Sequence, residues 1–315
     1  MSGLNLVFMG TPQIACPSLE AVVKAGFRVL AVYTQPDRPA GRGRLLSRGP
    51  VAALAEELNL SVRQPTRIKD ALAELSGLGA DVLCTMAFGQ ILPQAVLDVF
   101  PKGCLNVHAS LLPLLRGAAP INRAILKGHQ TTGVTTMFMD AGTDTGDIIR
   151  QRSTPISPQD TAGSLAERLS RMGADLLVET LKSLTKGRAP RAPQDHARAT
   201  YAPRLAKSDG LLEWKLEAAE LDRRVRGLDP WPGAYTIQGG QPLKLYAPTA
   251  LSPENSGAAP GALLAPPAGD ERFMWVACGQ GALGVGEAQA AGKKRLPATQ
   301  FLRGARLTPG ARLGS

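Results

Sequence analysis

The chain has 315 residues, 44% of them hydrophobic and 20% charged, a composition that is ordinary for a soluble globular protein with room for two domains. No apolar run approaches the roughly 18 residues of a membrane span, and no charged leader precedes a long apolar core, so we expect a cytoplasmic protein. The net charge of +10 favours a polyanionic partner such as nucleic acid, although many basic proteins only carry solvated Lys and Arg.

The first 150 residues alternate short apolar runs with amphipathic segments. We predict strands at 4–9, 29–34 and 81–87, and helices at 13–25, 51–58 and 93–99. Strands that alternate with helices indicate an α/β fold with a parallel, doubly wound, Rossmann-like sheet, which binds ligands at the carboxyl ends of its strands. The first strand-to-helix turn carries Gly10 alone instead of the GxGxxG of dinucleotide sites, which argues against NAD or FAD.

A loop at 35–48 is rich in Pro and Gly. It carries four arginines, Arg38, Arg42, Arg44 and Arg48. A loop with so few apolar residues does not fold against a core, but its cations suit contact with the phosphates of an RNA. From the residues alone, a solvated connector between two elements is the alternative interpretation.

Two polar side chains point to the same face of the strand predicted around 104–108. Asn106 and His108 alternate there with Leu105 and Val107. Because successive side chains of a strand point to opposite faces, one amide and one imidazole share the polar face. The strand therefore presents two polar groups side by side.

A polar cluster at 139–147 follows the apolar run 134–139. We expect it to bring the carboxylate of Asp144 to Asn106 and His108 at the carboxyl ends of the strands. Two hydrogen-bond donors and a carboxylate suit acyl transfer to an amine, because negative charge builds on the carbonyl oxygen while the nitrogen loses a proton. In the alternative interpretation, the histidine is a structural residue and the aspartate only forms a turn.

The following segments predict a strand at 147–155, a helix at 164–184 and then a linker. Residues 188–205 are rich in Lys, Arg, Pro and Ala, which is typical of a basic surface linker. This places a first domain at 1–187 and a second at 206–315.

The second domain contains a predicted helix within 214–228 and several short strands. The strands are predicted at 234–237, 243–246, 273–278 and 282–285, with Gly-rich turns, and this pattern indicates a small β-barrel. The four cysteines are scattered and form no C-x-x-C pair, so they indicate neither a zinc site nor a disulfide framework. Three of them lie in apolar runs, and we interpret these three as small core residues in a reducing compartment.

Six motifs in fixed order resemble the folate-dependent formyltransferases. They are GTP at 10–12, QPDRPAGRG at 35–43, AFGQILP at 87–93, NVHASLLP at 106–113, RGAAP at 116–120 and DAGTDTGD at 140–147. The resemblance spans both domains and implies an enzyme that transfers the formyl group of 10-formyltetrahydrofolate to the free amino group of initiator methionyl-tRNA. It further implies an OB-like second domain and no metal. Nothing in the sequence demands more than a monomer.

The resemblance also implies roles for single residues. The catalytic residues are Asn106, His108 and Asp144. The folate-binding residues are Met86, Phe88, Gly89, Ile91, Leu92, Pro93, Ser110, Leu111, Leu112, Pro113, Asp140 and Gly142. The resemblance assigns the loop at 35–48 to tRNA contact and so gives Arg38, Arg42 and Arg44 as tRNA-binding residues. Charge alone adds Lys207, Lys293 and Lys294, in or near the second domain, and a solvated loop is the alternative interpretation of the cluster at 293–295. Two places depart from the family pattern: Phe88 replaces a usual Tyr, and Leu114-Leu115 replaces a basic residue and an aromatic one.

Two other functions stay open on the sequence. A formyltransferase that acts on an amino sugar nucleotide would share the chemistry of the first domain but would not need the Arg-rich loop or a basic second domain. A noncatalytic RNA-binding protein would have no reason to keep Asn106, His108 and Asp144 together. Residues 204–315 carry a net charge of +4 and the rest of the chain +6, so the cationic surplus is spread over both domains.

Overall fold

The computed structural model describes residues 3–40, 45–252 and 257–314. The chain divides into two compact units. The first unit consists of Met1–Pro120, Thr131–Pro155 and Ala166–Ala202, and the second of Ile121–Gln130, Ile156–Leu165 and Pro203–Ser315. The second unit thus takes in two segments that precede residue 166.

The elements that the sequence predicts up to residue 99 form within three residues of their expected bounds. The strands up to residue 155 are β1 (Asn5–Gly10), β2 (Arg28–Tyr33), β3 (Arg38–Ala40), β4 (Leu45–Ser47), β5 (Val62–Arg63), β6 (Val82–Met86), β7 (Cys104–His108), β8 (Thr131–Phe138) and β9 (Ile148–Pro155). The helices up to residue 185 are α1 (Cys16–Lys24), α2 (Pro50–Glu57), α3 (Leu72–Gly77), α4 (Gln94–Leu97), α5 (Pro120–Leu126) and α6 (Ala162–Thr185). Across the described residues, no helix combines the length and the apolar character that a membrane crossing needs.

The main sheet of the first unit has the strand order β5-β2-β1-β6-β7-β8-β9. The strands from β5 to β7 are parallel, as predicted, but β8 is antiparallel to β7 and β9 is antiparallel to β8. The expectation of a wholly parallel sheet is therefore wrong for the last two strand pairs, because β8 runs opposite to the other strands. A parallel neighbour needs a crossover of a dozen or more residues, and the short connection from β8 to β9 makes no such crossover.

The core of the first unit packs against the parallel strands. Val7 and Met9 of β1 and Leu83 of β6 are fully buried in one cluster, together with Phe88. All four cysteines are buried and free, which confirms the interpretation of three of them as core residues. Burial raises the pKa of the Cys104 thiol to about 12, so this group is neutral and packs as a small apolar side chain.

The second unit contains a curled antiparallel sheet, which confirms the small barrel-like domain. Its elements are α7 (Ala218–Gly227), β10 (Tyr235–Gln238), β11 (Gln241–Ser252), β12 (Met274–Ala277), β13 (Ala282–Ala290), β14 (Leu296–Pro297) and α8 (Ala298–Ala305). The strand order is β10-β11-β13-β12, and β14 pairs with β13. The strands predicted at 234–237 and 243–246 form the antiparallel pair β10–β11. Helix α8 was not predicted, because its eight residues bury little apolar surface.

Helix α7 carries two arginines that each pair with an acid four residues earlier, and one of these pairs is buried. Arg226 Nη2 lies 2.7 Å from Asp222 Oδ2, with side chains 10% and 13% exposed. Arg224 Nη2 lies 3.0 Å from Glu220 Oε1, with side chains 31% and 35% exposed. Burial raises the pKa of the Asp222 carboxyl, while Arg226 acts in the opposite direction by stabilising its charge.

We expect Arg226→Met to destabilise the second unit by about 2 kcal/mol, because it leaves a buried carboxylate without its partner. Arg224→Met, on the same helix, should cost less than about 0.5 kcal/mol, since exposed ion pairs contribute little. All three tryptophans of the chain, Trp214, Trp231 and Trp275, lie in the second unit, so urea unfolding followed by tryptophan fluorescence measures both costs. Equal destabilisation by the two variants would contradict the expectation.

Candidate functional site

The amide of Asn106 is oriented by the neighbouring strand. Thr85 of β6 pairs with Asn106 of β7, and Thr85 Oγ1 donates a hydrogen bond to Asn106 Oδ1 at 2.8 Å. Because the amide oxygen is used there, the amide nitrogen points away from β6 and donates to Asp144 Oδ1 at 3.4 Å. The alternation in β7 thus presents an NH₂ group to the carboxylate, as predicted.

The imidazole of His108 is buried and lies between two oxygens. Its Nε2 is 3.0 Å from the carbonyl oxygen of Leu115, and its Nδ1 is 3.5 Å from Asp144 Oδ2. A carbonyl can only accept a hydrogen bond, so the contact with Leu115 places a hydrogen on Nε2. The other ring nitrogen faces the carboxylate without a short hydrogen bond.

The loop 139–146 brings Asp144 to these two side chains by an unexpected path. β8 ends at Phe138, which pairs with Leu105 near the start of β7, so the loop begins at the opposite end of β7 from His108. The prediction that the aspartate follows a strand ending at the same edge is therefore wrong, because β8 runs antiparallel. The predicted meeting of the three side chains occurs nevertheless.

The conformation of the loop depends on two glycines and on Asp144 itself. Asp144 has a left-handed backbone with a φ of 54°, and a Cβ at Gly146 would collide with the carbonyl of Phe138. Asp144 Oδ2 accepts a hydrogen bond from the backbone N–H of Gly117 at 2.9 Å. Gly117 has a φ of 111°, and a Cβ there would lie 3.0 Å from the Ala202 carbonyl, so a side chain would disturb this anchor.

One carboxylate therefore contacts an amide, an imidazole and a backbone N–H at distances between 2.9 and 3.5 Å. The amide and the imidazole are groups that can stabilise an oxyanion, and the carboxylate can accept a proton. Such a set suits the transfer of an acyl group to an amine. Within the described residues, no group of three or more His, Cys, Asp or Glu side chains is arranged to hold a metal ion.

The residues predicted to bind folate in the turn 87–93 differ in their surroundings. Phe88 and Leu92 are buried in the core, and Met86 is the buried last residue of β6. The carbonyl of Phe88 accepts hydrogen bonds from Thr11 Oγ1 at 2.9 Å and from Gln35 Nε2 at 3.3 Å. The side chain of Ile91, in contrast, is 87% exposed, and Gly89 and Pro93 are exposed beside it.

The second segment predicted to bind folate is a turn that is hydrogen-bonded to Thr135 of β8. Ser110 Oγ donates to the carbonyl of Leu114 at 2.6 Å, and Thr135 Oγ1 donates to the carbonyl of Ser110 at 2.7 Å. Leu112 is buried, while Leu111 and Pro113 are half-buried. The turn is thus rigidly placed directly after His108.

Asp140, which is also predicted to bind folate, accepts hydrogen bonds from two residues of its own loop. Its Oδ1 accepts hydrogen bonds from the Gly142 N–H at 3.0 Å and from Thr145 Oγ1 at 2.6 Å. Both Asp140 and Gly142 are exposed. This arrangement orders the loop that ends in Asp144.

Several cations predicted to bind tRNA are exposed. These are Arg38 at the start of β3, Lys207 after the first unit, and the pair Lys293 and Lys294. Arg42 and Arg44 lie outside the described residues. Arg48, from the same Arg-rich loop, is instead held by Asp37, Gln64 and Glu56.

Three residues that the sequence analysis does not assign to the site contact it directly, namely Thr85, Gly117 and Gln194. Arg116 and Thr200 lie one contact further away. Arg116 and Gly117 belong to the RGAAP motif. Gln194 and Thr200 lie in the segment predicted as a surface linker, where no apolar periodicity signals a buried side chain. A buried polar residue in such a segment carries no pattern that sequence reasoning detects.

Comparisons with known proteins point to one family over both units. A family model described as formyl transferase matches residues 4–181, and one described as formyl transferase, C-terminal domain, matches residues 204–306. The chain is 48% identical over 316 residues to a methionyl-tRNA formyltransferase of Geobacter sulfurreducens, covering 100% of this chain and 98% of the relative. It is 48% identical over 313 residues to a methionyl-tRNA formyltransferase of Solibacter usitatus, covering 99% of each.

A solved structure agrees with the fold. The N-formyltransferase of Helicobacter canadensis, in complex with folinic acid and dTDP-3-aminofucose, superposes with a TM-score of 0.69 at 21% identity, covering 91% of this chain and 99% of that one. At this level of identity the similarity establishes a shared fold.

Proposed function

The chain belongs to the formyl transferase family, and on that premise we propose that it transfers the formyl group of 10-formyltetrahydrofolate to the free amino group of initiator methionyl-tRNA. The products are N-formylmethionyl-tRNA, which serves translation initiation, and tetrahydrofolate. One observation carries the proposal: Asn106, His108 and Asp144 converge within 3.5 Å in a chain 48% identical to a methionyl-tRNA formyltransferase over its full length.

In the proposed reaction the amine nitrogen attacks the formyl carbon, and the bond from that carbon to the donor nitrogen of the folate breaks. The amine loses a proton and the folate nitrogen gains one. Asn106 Nδ2, whose contact with Asp144 is a long 3.4 Å, is free to donate to the oxyanion. His108 donates to the oxyanion through Nδ1 as an imidazolium with a hydrogen on both ring nitrogens, since Nε2 is already bonded to Leu115 and the carboxylate of Asp144 faces Nδ1. Asp144 orients the imidazole and accepts the amine proton, directly or through a water.

The family and the folinic acid bound to the Helicobacter relative support a folate as the formyl donor. We place its pterin between the turn 87–93 and the loop 140–144. The exposed Ile91 favours this placement, since a flat heteroaromatic ring that covers it would remove apolar surface from water. The turn after His108, with Ser110 to Pro113, forms the other wall.

The acceptor is proposed to be held by cations. Arg38, Lys207, Lys293 and Lys294 are exposed and suit contact with RNA phosphates. Arg42 and Arg44 complete the proposed set from the same loop as Arg38. Cytoplasmic localisation and a monomeric state stay predictions from the sequence.

A competition assay tests the proposal. The purified protein is given 10-formyltetrahydrofolate with methionyl-tRNA and a dTDP-linked amino sugar together, and both formylated products are measured. We expect formylated methionyl-tRNA and no formylated sugar. Formylation of the sugar alone would overturn the proposed acceptor, and formylation of neither, with RNA still bound, would indicate a noncatalytic RNA-binding protein.

A further inference from the structure

The segment 192–202, which follows α6 and which we call the return segment, runs past the candidate site within the first unit. Ala192 forms a bridge with Ile148, and Tyr201 forms one with Arg116. The side chain of Gln194 is only 6% exposed. A buried, uncharged amide needs hydrogen-bond partners, and their identity determines what the residue does.

The amide of Gln194 uses all of its hydrogen-bonding capacity. Its Oε1 accepts from Arg116 Nη2 at 2.7 Å and from Arg116 Nε at 3.2 Å. Its Nε2 donates to the backbone carbonyls of Asp144 at 3.0 Å and Gly146 at 2.7 Å. The amide has only one orientation, because a flipped amide would place its oxygen against two carbonyls and its NH₂ group against a guanidinium.

These contacts connect Arg116 to the backbone that carries the predicted catalytic carboxylate. Arg116 is 2% exposed, and in the part of the chain that the structure describes its guanidinium forms no ion pair with an acid. Its backbone N–H donates to the carbonyl of Thr200, and its carbonyl accepts from Ala202. The next residue, Gly117, donates to the Asp144 carboxylate itself. Gln194 therefore holds the backbone of Asp144, and Gly117 holds its side chain.

We propose that Gln194 is a positioning residue, which sets the place of the Asp144 carboxylate by holding the backbone carbonyls of Asp144 and Gly146. The inference rests on the proposed formyl transfer, in which Asp144 acts on the imidazole and the amine. The loop needs such a restraint, since Asp144 is in a left-handed conformation and residues 140–143 are exposed. Displacement of a catalytic group by about 1 Å can reduce turnover by about 100-fold.

Gln194→Leu removes the four hydrogen bonds and keeps a side chain of similar size. We expect kcat for formylation of methionyl-tRNA to fall about 10- to 100-fold, with KM values for both substrates within about threefold of the wild type, because the chemical step and not substrate binding depends on the carboxylate. Gln94→Leu is the matched control. Gln94 is an exposed glutamine of α4 whose Nε2 donates to Asp98 at 2.7 Å, and its loss should leave kcat unchanged.

Gln194→Glu separates the two halves of the contact. A glutamate still offers an oxygen to Arg116, but it has no hydrogen to donate and sets a second oxygen against the carbonyls of Asp144 and Gly146. If Gln194 positions Asp144 through these carbonyls, the kcat of Gln194→Glu should be at least as low as that of Gln194→Leu. Its melting temperature should lie closer to that of the wild type. A kcat equal to the wild type would overturn the proposal, since the residue would then only satisfy Arg116.

Two further measurements exclude a general defect and separate this proposal from the function on which it rests. In an Asp144→Asn background, adding Gln194→Leu should lower kcat by less than about threefold, because the two changes act on one group. If the losses in kcat of the two single variants multiplied in the double variant, the proposal would be overturned.

Hydrogen exchange tests the positioning role without a measurement of activity. Gln194→Leu should speed the exchange of backbone amides in 140–147 and not in β1 or β6. An inactive wild type with this exchange pattern would refute the formyl transfer alone, and an active wild type with unchanged exchange would refute the positioning role alone.

Discussion

Asp144→Asn should lower kcat for formylation of methionyl-tRNA by about 1,000-fold, the middle to upper range for the loss of a general acid or base. The substitution removes the negative charge that faces His108 Nδ1 and the group that accepts the amine proton. It keeps an oxygen able to accept from the Gly117 N–H, so the loop retains one of its anchors. Initial rates at saturating concentrations of both substrates measure the effect.

Asp147→Asn is the matched control for this variant. Asp147 lies at the end of the same loop, but its carboxylate faces Arg191 at 3.7 Å and does not contact the site. Its kcat should equal that of the wild type. A kcat for Asp144→Asn within about threefold of the wild type would remove the carboxylate from the proposed mechanism.

His108→Ala should lower kcat by about 100- to 1,000-fold, because it removes one of the two donors proposed for the oxyanion. The folding cost should be modest, about 1–2 kcal/mol, since the main loss is an unpaired carbonyl at Leu115. Turnover of methionyl-tRNA and thermal unfolding of the same preparation separate the two effects.

The chain offers a control for the loss of an imidazole. His129 is half-buried in the second unit, where burial lowers its pKa and the neighbouring Lys127 lowers it further. His129→Ala should keep full activity. Unchanged turnover in His108→Ala, or a loss in both variants alike, would show that the imidazole of residue 108 has no specific role.

The sequence was sufficient to predict the parallel part of the sheet and the meeting of the three polar side chains of the site, although not the path by which Asp144 reaches it. A period of two in β7 determines which residues share a face, so Asn106 and His108 follow from local pattern alone. Six strands and helices up to residue 99 follow from apolar runs separated by Gly and Pro. These features depend on neighbours within a few residues. The prediction of a loop over 35–48 is wrong where β3 pairs with β4, and β5 and α3 were not predicted.

The features that the sequence did not predict depend on contacts between distant segments. The orientation of β8 is determined by how the chain returns after α5, and it changes the path by which Asp144 reaches His108. Gln194 is 50 residues away from Asp144 in the sequence, and its role appears only once Arg116 and the loop carbonyls lie on either side of it. The segment 188–205 was predicted to be a surface linker because of its charged residues, and its composition does not show that the amide of Gln194 is buried.

The return segment determines where the chain can be cut to obtain the first unit with its candidate site intact. A fragment cut at residue 187 would retain Asn106, His108 and Asp144 but would lose Gln194 and the Thr200 hydroxyl that binds the Leu115 amide. A chimera that joins this first unit to a foreign partner domain should therefore keep its junction beyond Ala202. Gln194 and Thr200, which the sequence places in the linker between the domains, thus belong to the structure that supports the candidate site of the first unit.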